Sequence, residues 1–423
     1  LKELGVTVIY LNPIFEAHSN HRYDTADYMK IDPLLGTEED FISLCRESEK
    51  QGIKIIFDGV FSHTGSDSVY FNKFNRYNSV GAYNSEDSPY VKWYNFRRWN
   101  EDYDSWWGIK SLPETNEDDE GFSRFIAGDG GVVEKWIKDG AAGVRLDVAD
   151  ELPDSFIVKL RKAVKKNNPQ GLLLGEVWED ASNKISHGGR RKYLLGDELD
   201  SVMNYPFRSA VIDFLKNSVA EDFMEAVVSI CENYPPQVLN CLMNHLGTHD
   251  TERIFSVLGG LDGENKDRET QFALSLTPEQ KKTAETLLKE GLVLQFTLPG
   301  VPSVYYGDEM LVQGLKDPFN RTFFPWDKER GEVWDEIKFL SRLRKKYHCL
   351  KKGIFVPVSA AMGCVAYARV SAVDRLLVIA NNNSHGITYY LPEEWHNAES
   401  LTNNSVTPYS VDIPENSAAV LGY

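Results

Sequence analysis

The sequence predicts an α/β protein whose main part is a (β/α)8 TIM barrel, and we expect the first barrel strand to lie upstream of Leu1. Apolar, β-branched runs alternate with amphipathic helical stretches over most of the 423 residues. This alternation is typical of a parallel sheet covered by helices. Polar residues recur at the ends of the runs, where barrel enzymes carry their chemistry. An open, doubly wound sheet is the competing arrangement.

Seven apolar runs are predicted to form strands, one fewer than a closed barrel of this type contains. The missing strand would leave one barrel edge unpaired, and we expect a chain with such an edge to be unstable by itself. The predicted strands are 6–11, 53–57, 143–148, 172–177, 199–204, 241–246 and 302–306.

Amphipathic helical patterns occupy the segments between the predicted strands. The first begins after Thr37, whose side chain is predicted to cap the helix together with Asp40 three residues later. The predicted helices are 37–51, 132–139, 154–167, 207–233, 278–298 and 332–347.

Two segments depart from this alternation and predict further domains. The connection after Phe61 has no periodic core pattern and is rich in Asn, Tyr, Trp and Ser, which is typical of a functional insertion. From about Gly353 the pattern changes to short alternating runs with turns between them, which predicts antiparallel strands. The expected domains are 1–60 and 116–350 for the barrel, 61–115 for the insert and 351–423 for a C-terminal β-sandwich.

The composition excludes several classes of function. Lys and Arg total 46 against 63 Asp and Glu, a formal charge of −17, which argues against binding to nucleic acid or an anionic membrane. No apolar run is long enough to span a membrane. The 9 Trp, 20 Tyr and 21 Phe favour ligands that stack on flat rings. Five widely spaced cysteines without a paired motif predict reduced thiols, as in a cytoplasmic protein.

Carboxylates stand at the ends of several predicted strands. Asp147 follows GVRL, Glu176 lies in LLGEVW, Asp250 lies in GTHDTER, and Asp58 ends IIFD with His63 five residues later. On parallel barrel strands these side chains would converge at one rim. Two carboxyl groups on opposite sides of a glycosidic bond are the groups that acetal hydrolysis requires. A helix cap or surface ion pair is the alternative role of any single acid.

Together these motifs resemble the α-amylase family, glycoside hydrolase family 13, and most closely its neopullulanase, cyclomaltodextrinase and maltogenic amylase subgroup. The matching stretches appear in the family's order and cover about three quarters of the chain. They are LNPIFEAHSNHRYDTADYMKIDP (11–33), DGVFSHT (58–64), LPETN (112–116), GVRLDVADE (143–151), LLGEVWEDA (173–181), VMNYP (202–206), NHLGTHDTER (244–253), GVPSVYYGDE (300–309) and DPFNRTFFPWD (317–327).

The resemblance implies three catalytic residues. Asp147 matches the nucleophile that forms a covalent glycosyl-enzyme, and Glu176 matches the general acid that later acts as the base. Asp250 matches the third carboxylate, which binds hydroxyls of the sugar being cleaved. Arg145 matches the arginine beside the nucleophile, and its charge is expected to keep Asp147 ionised.

Further positions match the family's substrate-binding residues. His63 and His249 match histidines that hydrogen-bond the reacting sugar, with Asp58 in support. Tyr23, beside His21, matches the ring that stacks under that sugar. The remaining matches are Trp178 on the aglycone side, and Asp317 with Arg321 on the non-reducing side.

The chain departs from the family at positions that hold calcium in many α-amylases. Ser62 replaces the usual Asn before His63, and Asp150-Glu151 replaces the Lys-His pair of ordinary α-amylases. Calcium needs several oxygen ligands, and this set is incomplete. We therefore expect no metal or other cofactor to be required for the chemistry, although a structural calcium elsewhere stays open.

The resemblance implies a retaining hydrolase of α-1,4-glucosidic bonds in cyclodextrins, pullulan, starch or maltooligosaccharides, with transglycosylation as a side reaction. An α-glucosidase or glucanotransferase of the same family is the nearer alternative. A non-catalytic amylase-like binding protein is the alternative of another class. The expected partner is an α-glucan. The subgroup normally carries an N-terminal β domain that helps to form a dimer. We expect this domain to be missing here together with the first barrel strand, and a homodimer is an open alternative.

Overall fold

The computed structural model describes residues 1–423 and contains seven parallel strands that form a TIM barrel in chain order. The barrel strands are β1 (Val8–Leu11), β2 (Lys54–Gly59), β3 (Gly143–Leu146), β4 (Leu172–Gly175), β5 (Ser201–Val202), β6 (Met243–His245) and β7 (Val301–Ser303). They confirm the seven predicted strands in order, although every strand except β2 is shorter than expected and β7 begins one residue earlier.

Strands that are neighbours in the barrel are also consecutive along the chain. β1 to β5 form one continuous parallel sheet, a parallel bridge between Met203 and Met243 joins β5 to β6, and β6 pairs with β7. β7 and β1 do not pair with each other, so the barrel has two free edges. Val8 and Val301, at these edges, are 46% and 44% exposed, whereas the strands between them are largely buried.

Helices cover the outside of the barrel, as predicted. The helices are α1 (Glu38–Lys50), α2 (Glu120–Ala127), α3 (Val132–Lys138), α4 (Asp154–Asn167), α5 (Tyr205–Asn217), α6 (Ala220–Asn233), α7 (Pro236–Leu239), α8 (Ile254–Leu258), α9 (Arg268–Ala273), α10 (Pro278–Thr297), α11 (Glu332–Lys346) and α12 (Cys349–Lys352). The capping box of α1 is present, with Thr37 and Asp40 exchanging hydrogen bonds between side chain and backbone.

The prediction of one helix over 207–233 is wrong. The segment forms α5 and α6, which are separated at Ser218, a residue in the left-handed conformation with φ 58°. Both halves carry apolar residues at helical spacing, so periodicity alone could not reveal the break. The Ser218 hydroxyl donates to the Asn382 carbonyl at 2.7 Å, a contact between distant parts of the chain.

The insert after β2 folds around aromatic side chains rather than regular elements. It contains the strand pair Phe96–Arg98 and Asp102–Tyr103, and 3-10 turns at Val91–Trp93 and Trp106–Gly108. The buried Phe71 ring packs edge-on against Tyr94 and Tyr103, with centroids 4.8 Å and 4.9 Å away. A further strand pair that the sequence did not predict, Phe15–Ala17 with Thr25–Ile31, lies before α1.

The C-terminal region consists of two antiparallel sheets. Its strands are β8 (Ile354–Ala361), β9 (Cys364–Val370), β10 (Arg375–Asn381), β11 (Ile387–Tyr390), β12 (Glu399–Ser400), β13 (Ser410–Ile413) and β14 (Ser417–Gly422). The larger sheet has the order β8-β9-β10-β14-β12, and β11 pairs with β13. One face of the larger sheet joins the barrel's hydrophobic core, and the other packs against β11 and β13.

The five cysteines form no disulfide; Cys45 and Cys349 are buried and Cys241 is exposed. None of the helices combines the length and the apolar character that crossing a membrane would require.

Candidate active site

The predicted acids come together at the carboxyl ends of the barrel strands. Asp58 lies in β2, Asp147 follows β3 directly, and Glu176 follows β4 directly. Asp250 lies in the loop after β6. Because all these strands are parallel, their ends meet at one rim, and residues distant in sequence become neighbours.

Arg145 is the centre of this cluster. Its side chain is fully buried, and its Nη1 lies 2.8 Å from Asp58 Oδ1 and 2.8 Å from Asp147 Oδ1. Its Nη2 lies 2.9 Å from Glu176 Oε2. Three carboxylates thus share one guanidinium, which brings the two predicted catalytic acids into the same site.

Burial dominates the electrostatic environment of Asp147. Burial raises the pKa of Asp147 well above its usual value, and the nearby Glu176 and Asp58 carboxylates act in the same direction. The Arg145 cation opposes this rise in pKa. Arg145 therefore lowers the pKa of Asp147 as expected, but burial and the two neighbouring carboxylates outweigh it and the pKa stays raised.

A strained turn connects Asp147 to the Glu176 carboxylate. Val148, directly after Asp147, has φ 38° and ψ 52°, which is a rare conformation for a β-branched residue. In this conformation its backbone N–H donates to Glu176 Oε2 at 2.9 Å. The turn after β3 therefore orients the Glu176 carboxylate through a backbone hydrogen bond.

Two tyrosines hold Asp58. Tyr10, in β1, donates its hydroxyl to Asp58 Oδ2 at 2.7 Å, and Tyr23 donates to the same oxygen at 2.9 Å. The Tyr23 ring also stacks on His249, with an interplanar angle of 11° and a centroid distance of 5.5 Å. His21 stacks on Tyr23 with a centroid distance of 6.1 Å.

His63 has a buried ring nitrogen without a hydrogen-bond partner. Its Nδ1 lies 3.0 Å from the Ser62 hydroxyl, while its Nε2 has no partner. Burial lowers the pKa of His63 to about 4, so the ring is neutral near pH 7. A neutral imidazole in this position can hydrogen-bond a sugar hydroxyl.

Asp250 belongs to a second polar group beside the first. His249 Nε2 lies 3.0 Å from Asp250 Oδ2, and Arg321 Nη2 lies 3.5 Å from the other carboxylate oxygen. Burial acts to raise the pKa of Asp250, but His249, Arg145 and Arg321 outweigh it and lower the pKa. Arg321 also pairs with Asp317 at 3.1 Å, so the structure places both outer residues next to the cluster.

The aromatic residue after Glu176 lies on a stack of rings. Trp178 is 48% exposed and packs on Tyr205 with centroids 4.3 Å apart. The Tyr205 hydroxyl is 3.5 Å from Glu176 Oε1, and His245 packs edge-on against the Tyr205 ring. Trp178 therefore lies on the Glu176 side of the site.

The sequence does not single out three further site residues, which are Tyr10, Tyr205 and His245. Tyr10 is the last residue but one of the first predicted strand, VTVIYL, and this position near a strand end is the signal that could have indicated it. Tyr205 and His245 lie in the matched stretches VMNYP and NHLGTHDTER. Only the fold shows that their rings pack together under Glu176.

The described residues can perform acid–base and nucleophilic chemistry on a sugar. One carboxylate, Asp147, is held beside a cation, and a second, Glu176, is oriented by a backbone donor. Histidines, tyrosines and Arg321 supply hydrogen-bonding groups around them. These are the elements of glycosidic bond cleavage by two carboxylates.

Comparison with known proteins identifies the same family over most of the chain. The family described as "Alpha amylase, catalytic domain" matches residues 1–352. An amylopullulanase of Thermoanaerobacterium thermosulfurigenes is 40% identical over 389 residues, covering 84% of this chain and 20% of that protein. A cyclomaltodextrinase of Geobacillus thermopakistaniensis is 32% identical over 405 residues, covering 93% of this chain and 62% of that protein.

Solved structures agree with these sequence relationships. The ligand-free cyclic alpha-maltosyl-(1→6)-maltose hydrolase of Arthrobacter globiformis superposes with a TM-score of 0.82 at 28% identity, covering 99% of this chain and 87% of that one. The chain spans only 20%, 29% and 26% of the three amylopullulanases that it matches.

Proposed function

This chain belongs to the alpha-amylase family, and we propose that it is a retaining glycosidase that hydrolyses α-1,4-glucosidic bonds in cyclodextrins, pullulan, starch or maltooligosaccharides. The observation that carries the proposal is the contact of Arg145 with both Asp147 and Glu176. A retaining mechanism needs two carboxyl groups close to one sugar carbon, and this cation brings the two groups together.

In the proposed first step, an Asp147 oxygen attacks C1 of the sugar while Glu176 donates a proton to the leaving glycosidic oxygen. The C1–O bond breaks, and a covalent glycosyl-enzyme forms. In the second step Glu176 takes a proton from water, the water oxygen attacks C1, and Asp147 leaves. A sugar hydroxyl in place of water gives transglycosylation.

The surrounding residues would bind the sugar whose bond is cleaved. Asp250, His249 and His63 offer hydrogen bonds to its hydroxyls, and Tyr23, stacked against His249, would pack against the sugar ring. Arg321 and Asp317 lie beside Asp250 and would bind the neighbouring sugar on the non-reducing side. The complete set of carboxylates favours an enzyme over a non-catalytic binding protein.

We also propose that the chemistry requires no metal. At the positions of the usual calcium ligands, the Ser62 hydroxyl contacts His63. The Asp150 carboxylate accepts from Tyr193 at 2.8 Å and pairs with Lys184 at 3.1 Å. Glu151 accepts from Trp107. Protein groups therefore already contact the Ser62 hydroxyl, both Asp150 carboxylate oxygens and one Glu151 carboxylate oxygen.

The test uses Glu176→Gln, which keeps the shape of the side chain but cannot donate the proton. We expect turnover of γ-cyclodextrin and maltohexaose to fall by about a hundredfold or more, while substrate binding is retained. Glu179→Gln, an exposed acid three residues further along the chain, is the matched control and should retain activity.

The stereochemistry of the product provides an independent measurement. Proton NMR early in maltohexaose hydrolysis should show the α-anomer as the first product. Release of the β-anomer, or near-normal turnover by Glu176→Gln, would contradict the proposal. Products longer than maltohexaose as the main outcome would favour a glucanotransferase of the same family.

A further inference from the structure

Trp107 combines strong exposure with an uncommon backbone conformation. It is 80% exposed, and its φ of 50° and ψ of 28° lie in the left-handed region. This conformation is unfavourable for a bulky side chain, and such residues concentrate at functional sites. No burial of the ring explains why the chain holds it in this conformation.

A tight turn and one side-chain hydrogen bond fix the ring. The Gly108 N–H donates to the Ser105 carbonyl at 2.8 Å, and the Ile109 N–H donates to the Trp106 carbonyl at 2.9 Å. The Trp107 Nε1–H donates to Glu151 Oε1 at 3.0 Å. The insert is therefore tied to the loop after β3, and the ring faces are left largely open to solvent.

Both ends of this contact lie next to the proposed catalytic groups. Trp106 packs against Trp107 with centroids 5.6 Å apart and against His63 with centroids 5.3 Å apart. Glu151 is in the short turn after Asp147, where the Ala149 N–H donates to the Glu176 carbonyl at 3.1 Å. Trp107 is thus held, through Glu151 and this turn, on the Glu176 side of the site.

The side of the site matters because of the chemistry of Glu176. A general acid that protonates the glycosidic oxygen lies next to the leaving group, and the sugar that accepts the glycosyl group later enters on the same side. A flat, exposed ring on this side meets sugar units beyond the scissile bond. Sugar rings present apolar C–H faces, which pack well on an indole.

We propose that Trp107 is a stacking platform for a leaving-group or acceptor glucose unit, held in place by Glu151. This inference rests on the proposed function and adds a specificity-determining residue to it. It assigns a preference for α-glucans that carry glucose units on the leaving-group side of the cleaved bond. Sugar acceptors in transglycosylation would use the same ring.

The test compares two substrates in the full chain. Maltohexaose places sugars on the leaving-group side, whereas α-maltosyl fluoride has only fluoride there. Trp107→Gly removes the ring and accepts the left-handed turn without strain. We expect its kcat/KM for maltohexaose to fall about tenfold, with a much smaller loss for α-maltosyl fluoride and fewer transglycosylation products.

Trp107→Phe keeps a ring without the bond to Glu151 and should recover part of the activity on maltohexaose. Phe74→Ala, which removes an exposed ring elsewhere in the insert, is the control and should change neither substrate. Equal losses on both substrates, or no loss on maltohexaose, would overturn the proposal. If the unsubstituted chain consumes neither substrate, the proposed function fails instead.

Discussion

At the residue scale, the site depends on how a few buried polar groups are partnered. Arg145 lies between Asp58, Asp147 and Glu176 without exposure to solvent. Removing a buried cation that contacts several carboxylates leaves those groups without their partner, which destabilises the folded protein strongly. Arg145 lies two residues before Asp147, so both side chains are on the same side of the chain at the end of β3, which makes the arrangement possible.

His245, in contrast to Arg145, is a buried ionisable group without polar partners. Neither of its ring nitrogens has a hydrogen-bond partner, and burial, together with the nearby Arg208, lowers its pKa to about 3. In the unfolded chain the ring takes up a proton near its ordinary pKa of about 6.5. Protons therefore favour the unfolded state between these values, and the free energy of unfolding falls as the pH decreases.

We predict that His245→Leu reduces this acid sensitivity. Wild type should lose about 2 kcal/mol more of its free energy of unfolding than His245→Leu when the pH is lowered from 7.5 to 5.0. Denaturant unfolding at both pH values provides the measurement, and His63, present in both proteins, cancels from the comparison. A stability difference that is the same at both pH values would contradict the prediction.

At the element scale, strand ends and helix caps place the site. The left-handed turn at Val148 directs a backbone donor at Glu176, and α10 fixes the last two barrel strands from outside. Gln295, in α10, donates to the Asn244 carbonyl at 2.9 Å and to the Ser303 carbonyl at 2.8 Å. The stability of α10 therefore supports the loop that carries Asp250.

We predict that Thr277→Ala destabilises α10. Thr277 and Gln280 form a capping box, in which the Thr277 hydroxyl accepts from the Gln280 N–H at 3.2 Å and Gln280 accepts in return at 2.9 Å. Loss of the cap should lower the free energy of unfolding by about 1 kcal/mol. Thermal unfolding followed by circular dichroism would measure the change.

The matched control for this cap is Thr283→Ala on the same helix. Thr283 is exposed, and its hydroxyl bonds the Glu279 carbonyl within the helix. Because alanine has a higher helix propensity, this substitution should cause no loss of stability. Equal effects of the two substitutions would show that the capping box contributes nothing specific.

At the scale of the whole molecule, the barrel and the C-terminal sheets share one core. Side chains of β9, β10 and β14, including Val365, Tyr367 and Val378, belong to the same buried cluster as the barrel residues. Arg369, in β9, is fully buried and donates to the Thr297 and Gly353 carbonyls. The C-terminal region therefore packs directly against the barrel and contributes side chains to its hydrophobic core.

We predict that the two parts unfold together and that Arg369→Met lowers the transition temperature of both. Methionine fills similar volume but leaves two buried carbonyls without donors, which should cost about 2–5 kcal/mol. Scanning calorimetry of wild type and variant would show one transition in each case. Two separate transitions, or an unchanged midpoint in the variant, would contradict the shared core.

The sequence determined the alternation of strands and helices, because apolar periodicity depends only on which faces are buried. It also located the strand-end acids Asp147, Glu176 and Asp250, since short motifs surround each of them. It did not reveal the break at Ser218, where both flanking segments have helical periodicity and the turn is fixed by a contact with Asn382. It equally missed the hairpin before α1, whose short strands lack a distinctive pattern.

Only the tertiary structure decided which of these residues meet. The contacts of Arg145 with three carboxylates, the packing of His245 under Tyr205, and the link from Trp107 to Glu151 join segments far apart in the chain. Local sequence specifies what each segment forms by itself. Distances between segments are set by the pairing of the barrel strands and the path of the insert, which depend on all the strands at once.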